Sequence, residues 1–520
     1  MLHTWPLASA PGTLSRNDNA DTLLNTWAVC WVAHALTSSP GQVTHGNIFH
    51  PERHTLAFSE PLILPGALAI PVRAAGASPV LTYNLSVMLG LALSAWAMQW
   101  VTWRWTGDFT ASLVAGSLFA FNAHLLTRFG HLQAIHAYGL PLLVYALDQV
   151  LRPDRRRVRD GLLLAAAGAS LVLTSGYLAI FGIVAGLIVV AVRARDVFRG
   201  SLRSLLTSAG TAAVAGTVLV LPVVLAYLAV RRAQGFERSL DSVLAMSANL
   251  PAYLYTPGRL HQALWAADAA AQWHPRDALF PGFVAVLLAV VGVVRGWGAA
   301  RWIALGLVVS GVVLSFGPQT PVYALFYDVV PFASGVRAAS RFGMLALMGI
   351  AVLAAFGVAA LRQRQRLGPA LAVVALVAVN AEAFRGPVPY VPAAPISPIY
   401  AQLASLPRGP VAEMPFWWAP LEIPRNAQYM LASTVHWFPL LNGYSGFSPG
   451  SYRRRADTLW YFPFRPASFD ELVRADVRYV VLHLEQYGSQ QTEALDIIAA
   501  SGRLRLLARD GSTLLYQVIK

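Results

Sequence analysis

Long apolar stretches, separated by short connections carrying Arg, Pro or Gly, fill the chain up to about residue 384. A transmembrane helix needs roughly 20 mainly apolar residues. Runs near that length predict helices at 79–103, 109–127, 137–151, 160–175, 177–193, 204–230, 279–295, 300–316, 342–361 and 368–384. From residue 385 the pattern changes. Pro387, Pro389, Pro392, Pro395 and Pro398 break helix and read as a linker. Beyond it, strand-like segments at Val411–Met414, Val477–Leu482, Leu504–Ala508 and Thr513–Val518 alternate with helical stretches near 468–475 and 491–501. That alternation predicts a small α/β domain.

The expected fold class is therefore a polytopic α-helical membrane protein, with about 10–11 transmembrane helices and a small C-terminal extracytoplasmic α/β domain. Three parts are expected: 1–78, an N-terminal remnant helix and large first outside loop; 79–384, the transmembrane helices; and 385–520, the α/β domain. Leu2 to Leu7 reads like the tail of a helix that has lost its beginning, through a shortened start or a first helix supplied by other residues. Met1 to Ala10 is too short for the apolar region of a signal peptide, and Pro6 and Pro11 interrupt it.

Composition settles the solvent. Hydrophobic residues make up 56% of the chain and charged residues 12%, with a mean hydropathy of +0.52, where a soluble domain carries roughly 25% charge. The formal charge of +14 would suit nucleic acid, but its distribution points elsewhere. Arg152, Arg155, Arg156, Arg157 and Arg159 share one connection, and Arg193, Arg195, Arg199 and Arg203 another. Arg295 and Arg301 flank a third, and Arg362, Arg364 and Arg366 fill a fourth. Counting the spans alternately puts all four on one side, the pattern of cytoplasmic loops, so no nucleic-acid partner is expected. The other side then holds 1–78, 128–136, 231–278, 317–341 and everything after 385. Cys30 is the one cysteine, which excludes an internal disulfide or a Cys-based zinc site.

The outside segments carry the candidate chemistry. Asp18 and Asp21 precede an apolar, Trp-bearing helix. Two such carboxylates suit a divalent cation or a general base for a hydroxyl, while Asp21 equally suits the N-cap of the helix beginning near Thr22. His34, His45, His50, His54 and Glu60 follow. They include metal-ligand types but no paired-His spacing, so hydrogen-bonding roles are the simpler expectation. The 128–138 loop offers Arg128, His131, Gln133 and His136 as cavity-lining groups or interfacial anchors. Arg337 and Arg341 would share a face of a helix starting near Val336, as a phosphate clamp or as headgroup anchors. In the C-terminal part, His436, Asn442 and Tyr444 lie among Trp437, Phe438 and Phe447. They would bind an acceptor or pack a Gly/Pro-rich loop.

Several stretches taken together resemble the C-type (GT-C) superfamily of polytopic membrane glycosyltransferases, in particular an uncharacterised bacterial subgroup. They are NDNADTLLNTWAV with WVAHAL, NIFHPERHTLAFSEPL, YNLSVMLGLALSAWAM, GHLQAIHAYGLPL, ALFPGF, LSFGPQTP, VRAASRF and NGYSGFSP, which span nearly the whole chain in order. The resemblance implies transfer of a sugar from a polyprenyl-phosphate donor to a glycan, lipid or protein acceptor at the outer face of a bacterial inner membrane. It implies an acidic base or metal-supporting residue in the first outside loop, Asp21 or Asp18, with Mg or Mn as the possible cation. It places His131 and Gln133 beside the cavity and gives the lipid phosphate to Arg341 and Arg337; His34 and Glu60 join them as substrate-binding candidates. A carboxylate base and an Arg clamp are what displacement of a phosphate leaving group requires, and direct displacement would invert the anomeric centre.

Two other readings compete. A transporter or flippase would place ionisable residues mid-span, yet the predicted spans are nearly free of Asp, Glu and Arg in their middles, with Asp148, near the cytoplasmic end of its span, the main exception. An inactive scaffold that kept the fold is the other.

Overall fold

The computed structural model describes residues 2–16, 19–153, 157–199, 201–330, 332–364 and 368–519. Asp18, Arg155, Arg156 and Arg366 lie outside the described residues. Two compact units divide the chain: Met1–Ala10, Leu85–Pro222 and Glu237–Pro389 form one, and Pro11–Asn84, Val223–Phe236 and Tyr390–Lys520 the other.

After α1 (Ala20–Ser38), ten helices occupy the ten expected apolar runs. They are α2 (Pro79–Thr106), α3 (Phe109–Ala120), α4 (Gly139–Leu151), α5 (Val158–Thr174) and α6 (Gly176–Val192), then α7 (Leu202–Gln234), α8 (Phe283–Arg295), α9 (Gly298–Ser315), α10 (Gly343–Arg364) and α11 (Gly368–Ala383). The chain is an integral membrane protein. Among the described residues, five helical segments are long and apolar enough to cross a bilayer unaided: Pro79–Thr106, Leu132–Leu151, Leu202–Gln234, Gly298–Ser315 and Ala339–Gln363. Others are shorter than their sequence runs. The 109–127 run breaks because the Asn122 side chain accepts from Leu125 N and starts a separate turn, Ala123–Leu126. The first residues form 3₁₀ turns at Leu2–Thr4 and Leu7–Ser9 rather than the end of an α-helix.

In the first unit α10 is the hub, packed against α3, α8, α9 and α11. Its spanning window is 89% buried, against 17% for α7. Glycine makes the closest seam possible: a Cβ at Gly292 of α8 would run into the Leu353 carbonyl, and one at Gly357 of α10 into the Leu288 carbonyl. Asp148, near the cytoplasmic end of its predicted span, is buried but paired, accepting from Arg193 Nε at 2.8 Å and Trp105 Nε1 at 3.3 Å. That is the arrangement a buried charge needs.

The second unit is built on a four-stranded sheet of β3 (Val411–Met414), β4 (Tyr479–His483), β5 (Leu504–Asp510) and β6 (Thr513–Val518) in the order β3-β4-β6-β5. β3 and β4 run parallel, the other pairs antiparallel, and a bulge interrupts β5 between Leu506 and Ala508. The first outside segment does not stand apart, as the sequence division at residue 78 expects. Its backbone pairs with the C-terminal part: Leu440 N donates to Asn47 O, Phe49 N to Asn442 O and His50 N to Leu440 O. Leu14–Ser15 (β1) pairs antiparallel with Val391–Pro392 (β2), so part of the Pro-rich stretch forms a ladder. Buried polar backbone has to find partners somewhere, and here they are nearly 400 residues apart in sequence.

Candidate functional site

The acid in the first outside segment belongs to the second unit. Asn19, not Asp21, caps α1: its Oδ1 accepts from Asp21 N at 2.9 Å and Thr22 N at 3.3 Å. Capping therefore does not occupy the Asp21 carboxylate, which sits in the first helical turn, where backbone N–H groups favour negative charge. Its Oδ1 accepts from the Tyr444 hydroxyl at 2.7 Å. Tyr444 is held in turn by its backbone N–H, which meets Met430 Sδ at 3.2 Å, and by packing near Leu23, Ala427 and Leu431. Tyr83 lies close enough to feel the charge of Asp21. Asp21 and Tyr444 are thus brought together from opposite ends of the sequence.

The other second-unit candidates are placed differently. His34 is 13 positions along α1 from Asp21, about 20 Å at 1.5 Å per residue. Its ring stacks on Trp437 at 4.8 Å, and burial, with Arg408 and Arg73 nearby, lowers its pKa. Glu60 adjoins Tyr227. His436 is buried against Tyr400, and its Nδ1 accepts from Phe438 N; burial and Arg408 lower its pKa to about 3. Asn442 is fully buried. It accepts from Glu413 N at 2.8 Å and donates to Glu413 O at 3.0 Å, latching its loop to β3. Beside that latch, the buried Glu413 side chain accepts from His483 Nε2 at 2.8 Å and Tyr400 Oη at 3.1 Å.

A basic cluster forms within the first unit. Arg337 and Arg341 do not share a helix face, because α10 begins only at Gly343 and Ala339–Phe342 is a 3₁₀ turn. Tyr177 on the first turn of α6 organises them instead. Its hydroxyl accepts from Arg337 N and Ala338 N at 3.0 Å each, and the Arg341 guanidinium lies 4.6 Å over its ring. Arg128 and Arg341 are close enough to repel, as are Arg238 and Arg337. Asp277 is the acid among them. It accepts from Arg128 Nη2 at 2.6 Å, from Ala278 N at 2.8 Å and, through a 3.2 Å contact, from His124 Nδ1. Burial pushes its pKa up, but His124, Arg128 and a Ser340 hydrogen bond outweigh burial and hold it well below the usual carboxylate range.

Arg128 lies close to Arg341, and Arg238 close to Arg337; like charges at that range disfavour one another, and a bound anion would relieve the crowding. Arg128 Nε, a buried donor, also remains unpaired, as does His124 Nε2, which is an acceptor while Nδ1 of the neutral ring donates. Gln133, buried beside His131 in the turn Leu132–Ile135, leaves its Oε1 unpaired. The sequence reading named Arg128 but missed Tyr177, His124 and Asp277. A lone acid just before an apolar run was the available signal for Asp277. Among the described residues no group of three His, Cys, Asp or Glu side chains is arranged to hold a metal ion.

With this geometry in hand, the chain compares with solved structures as follows. It superposes on the arabinofuranosyltransferase AftD from Mycobacteria, a cryo-EM structure, with a TM-score of 0.60 and 15% identity over 98% of this chain and 40% of that one. A second class of AftD gives 0.52 and 15% identity over 95% of this chain and 41% of that one. This chain therefore spans about 40% of the length of the AftD chain. The archaeal oligosaccharyltransferase AglB from Archaeoglobus fulgidus, in complex with an inhibitory peptide and a dolichol-phosphate, aligns at a TM-score of 0.41 and 13% identity over 95% of this chain and 70% of that one. No family model and no curated protein matches the chain. The chain shares the fold of the AftD structures.

Proposed function

We propose that the chain is a membrane glycosyltransferase, moving a sugar from a polyprenyl-phosphate donor to an acceptor at the extracytoplasmic face of a bacterial inner membrane. The observation that carries this reading is the hydrogen bond that the Asp21 carboxylate accepts from the Tyr444 hydroxyl, in the first turn of a helix capped by Asn19. Asp21 acts as the general base on the acceptor hydroxyl. The hydroxyl oxygen forms the new bond to the anomeric carbon as the bond to the phosphate oxygen breaks, with inversion. Arg341 and Arg337, backed by Arg128, hold the phosphate as it gains charge. The AftD-like fold supports this class of chemistry without naming the sugar.

Asp18 shares the acidic role if it lies beside Asp21. Magnesium or manganese is often held by only one or two carboxylates plus substrate phosphate, so Asp21 and Asp18 would suffice as protein ligands. Such a cation would neutralise phosphate charge.

The test is transfer from a panel of radiolabelled polyprenyl-phosphate sugars by the purified, reconstituted chain, with Asp21→Asn, Asp18→Asn and Arg341→Ala beside it, with and without a chelator. Loss of transfer in Asp21→Asn with donor binding kept supports the base. Full transfer by the Asp18/Asp21 double variant overturns it.

A further inference from the structure

Three leucine pairs, each spaced i, i+4, punctuate the connection between α7 and α8: Leu240 and Leu244, Leu250 and Leu254, Leu260 and Leu264. All six side chains are 39–74% exposed, and Trp273 beyond them is 48% exposed. A soluble surface rarely gathers so much apolar area in one segment. The first pair shares the short helix Leu240–Leu244, and the last pair spans Arg259–His261 and the π-helical turn Gln262–Ala266.

The same segment is pinned at a definite level. Leu279 N donates to Ala252 O at 2.8 Å and Phe280 N to Tyr255 O at 3.2 Å, just before α8 begins. Trp265 packs on Phe280 at 5.6 Å and on Phe283, the first residue of α8, at 5.3 Å. Arg259 N donates to Phe384 O at 2.8 Å, immediately after α11 ends. The segment therefore lies at the ends of two apolar helices, the depth at which hydrocarbon gives way to headgroups. Its aromatic residues match the belt expected there. On α8 itself Leu287, Val290 and Val294 are likewise 57–67% exposed.

We propose that residues 240–273 form an interfacial segment, lying along the membrane surface with the six leucines dipped into the acyl boundary of the leaflet at the N-terminal end of α8. The occupant of this apolar face is the bilayer. Exposed Arg259 and Asp268 stay in the headgroup layer, as in other membrane-surface helices. The proposal does not depend on the reaction the chain performs.

Cys30, the only native cysteine, is buried, so single cysteines placed at the surface take a spin label selectively. Leu250→Cys, Leu260→Cys and Leu264→Cys are labelled in the full chain in proteoliposomes, with Leu421→Cys, at a 94% exposed site, as the aqueous control and the unmodified chain as the blank. Spin relaxation is read with dissolved oxygen, which partitions into lipid, and with a water-soluble nickel chelate. The three segment labels are expected to relax faster with oxygen and to be shielded from nickel, with the reverse at Leu421. Fast relaxation by nickel at the leucine sites would put the segment in water. Shielding from both reagents would mean that protein covers it. Either result overturns the proposal.

Discussion

The Tyr444 hydroxyl donates to Asp21 Oδ1 at 2.7 Å, joining residues 423 positions apart. A general base contributes about 10²–10⁴-fold to a rate. Asp21→Asn is therefore expected to lower transfer by about that factor while leaving the melting temperature near that of the parent. Tyr444→Phe removes one hydrogen bond, a net ~0.5–1.5 kcal/mol, and is expected to lower transfer by no more than about tenfold. Parallel measurements of transfer rate and thermal melting check both. An equal loss in the two variants would mean that the tyrosine does more than orient the acid.

Tyr177 is the support of the basic cluster, and its two functions are separable. Tyr177→Phe keeps the ring under Arg341 but strands the Ala338 N–H, which is buried, at a cost of about 1–3 kcal/mol. Tyr177→Leu loses the ring as well, a further ~0.5–2 kcal/mol of cation–π attraction. Binding of polyprenyl phosphate is expected to weaken in the order Tyr177, Phe, Leu. Indistinguishable affinities in the two variants would remove the ring from the account.

Asp277→Ala would leave Arg128 and His124 facing one another without the carboxylate between them. Breaking a buried pair from one side costs about 3–5 kcal/mol, and chemical denaturation should register a loss of that order. The wild-type carboxyl has a folded-state pKa below its unfolded value. Its stabilisation is therefore fully present above the unfolded value of about 3.9 and is lost as pH falls toward the folded one. The variant should lack that acid-side component.

Glu413 has the opposite sign. Burial raises its pKa despite the His483 and Tyr400 hydrogen bonds. Its contribution is present below the unfolded carboxyl value and is lost as pH rises through the folded one. Glu413→Gln, which keeps an acceptor and cannot ionise, is expected to flatten the fall of melting temperature as pH rises above the unfolded carboxyl value of about 4.3. An unchanged slope would show that the folded carboxyl is ionised over that range, as the unfolded one is.

Periodicity and composition are local properties, and what they govern was legible. β3 and β6 occupy Val411–Met414 and Thr513–Val518 as the alternation predicts. All ten apolar runs are helical, because lipid imposes one rule on each independently. What the sequence hid is long-range pairing. Nothing near Asn47 signals that Leu440 will donate to it, so the first outside segment looked like a separate part. The same applies to Tyr177, whose role follows from two amide groups 160 and 161 residues away. Asp21 was legible as an acid in the right place. That Asn19 would take over the cap depended on backbone geometry at one turn.

The contrast between α10 and α7 has a practical side. With 89% of its window enclosed, α10 crosses the membrane while touching little of it, and its surroundings persist when lipid is exchanged for detergent. With only 17% enclosed, α7 takes most of its lateral support from whatever surrounds the protein. Extraction should therefore be felt first along α7, and an amphiphile too short to match its 33 residues would strain that helix while the glycine seam between α8 and α10 stays closed.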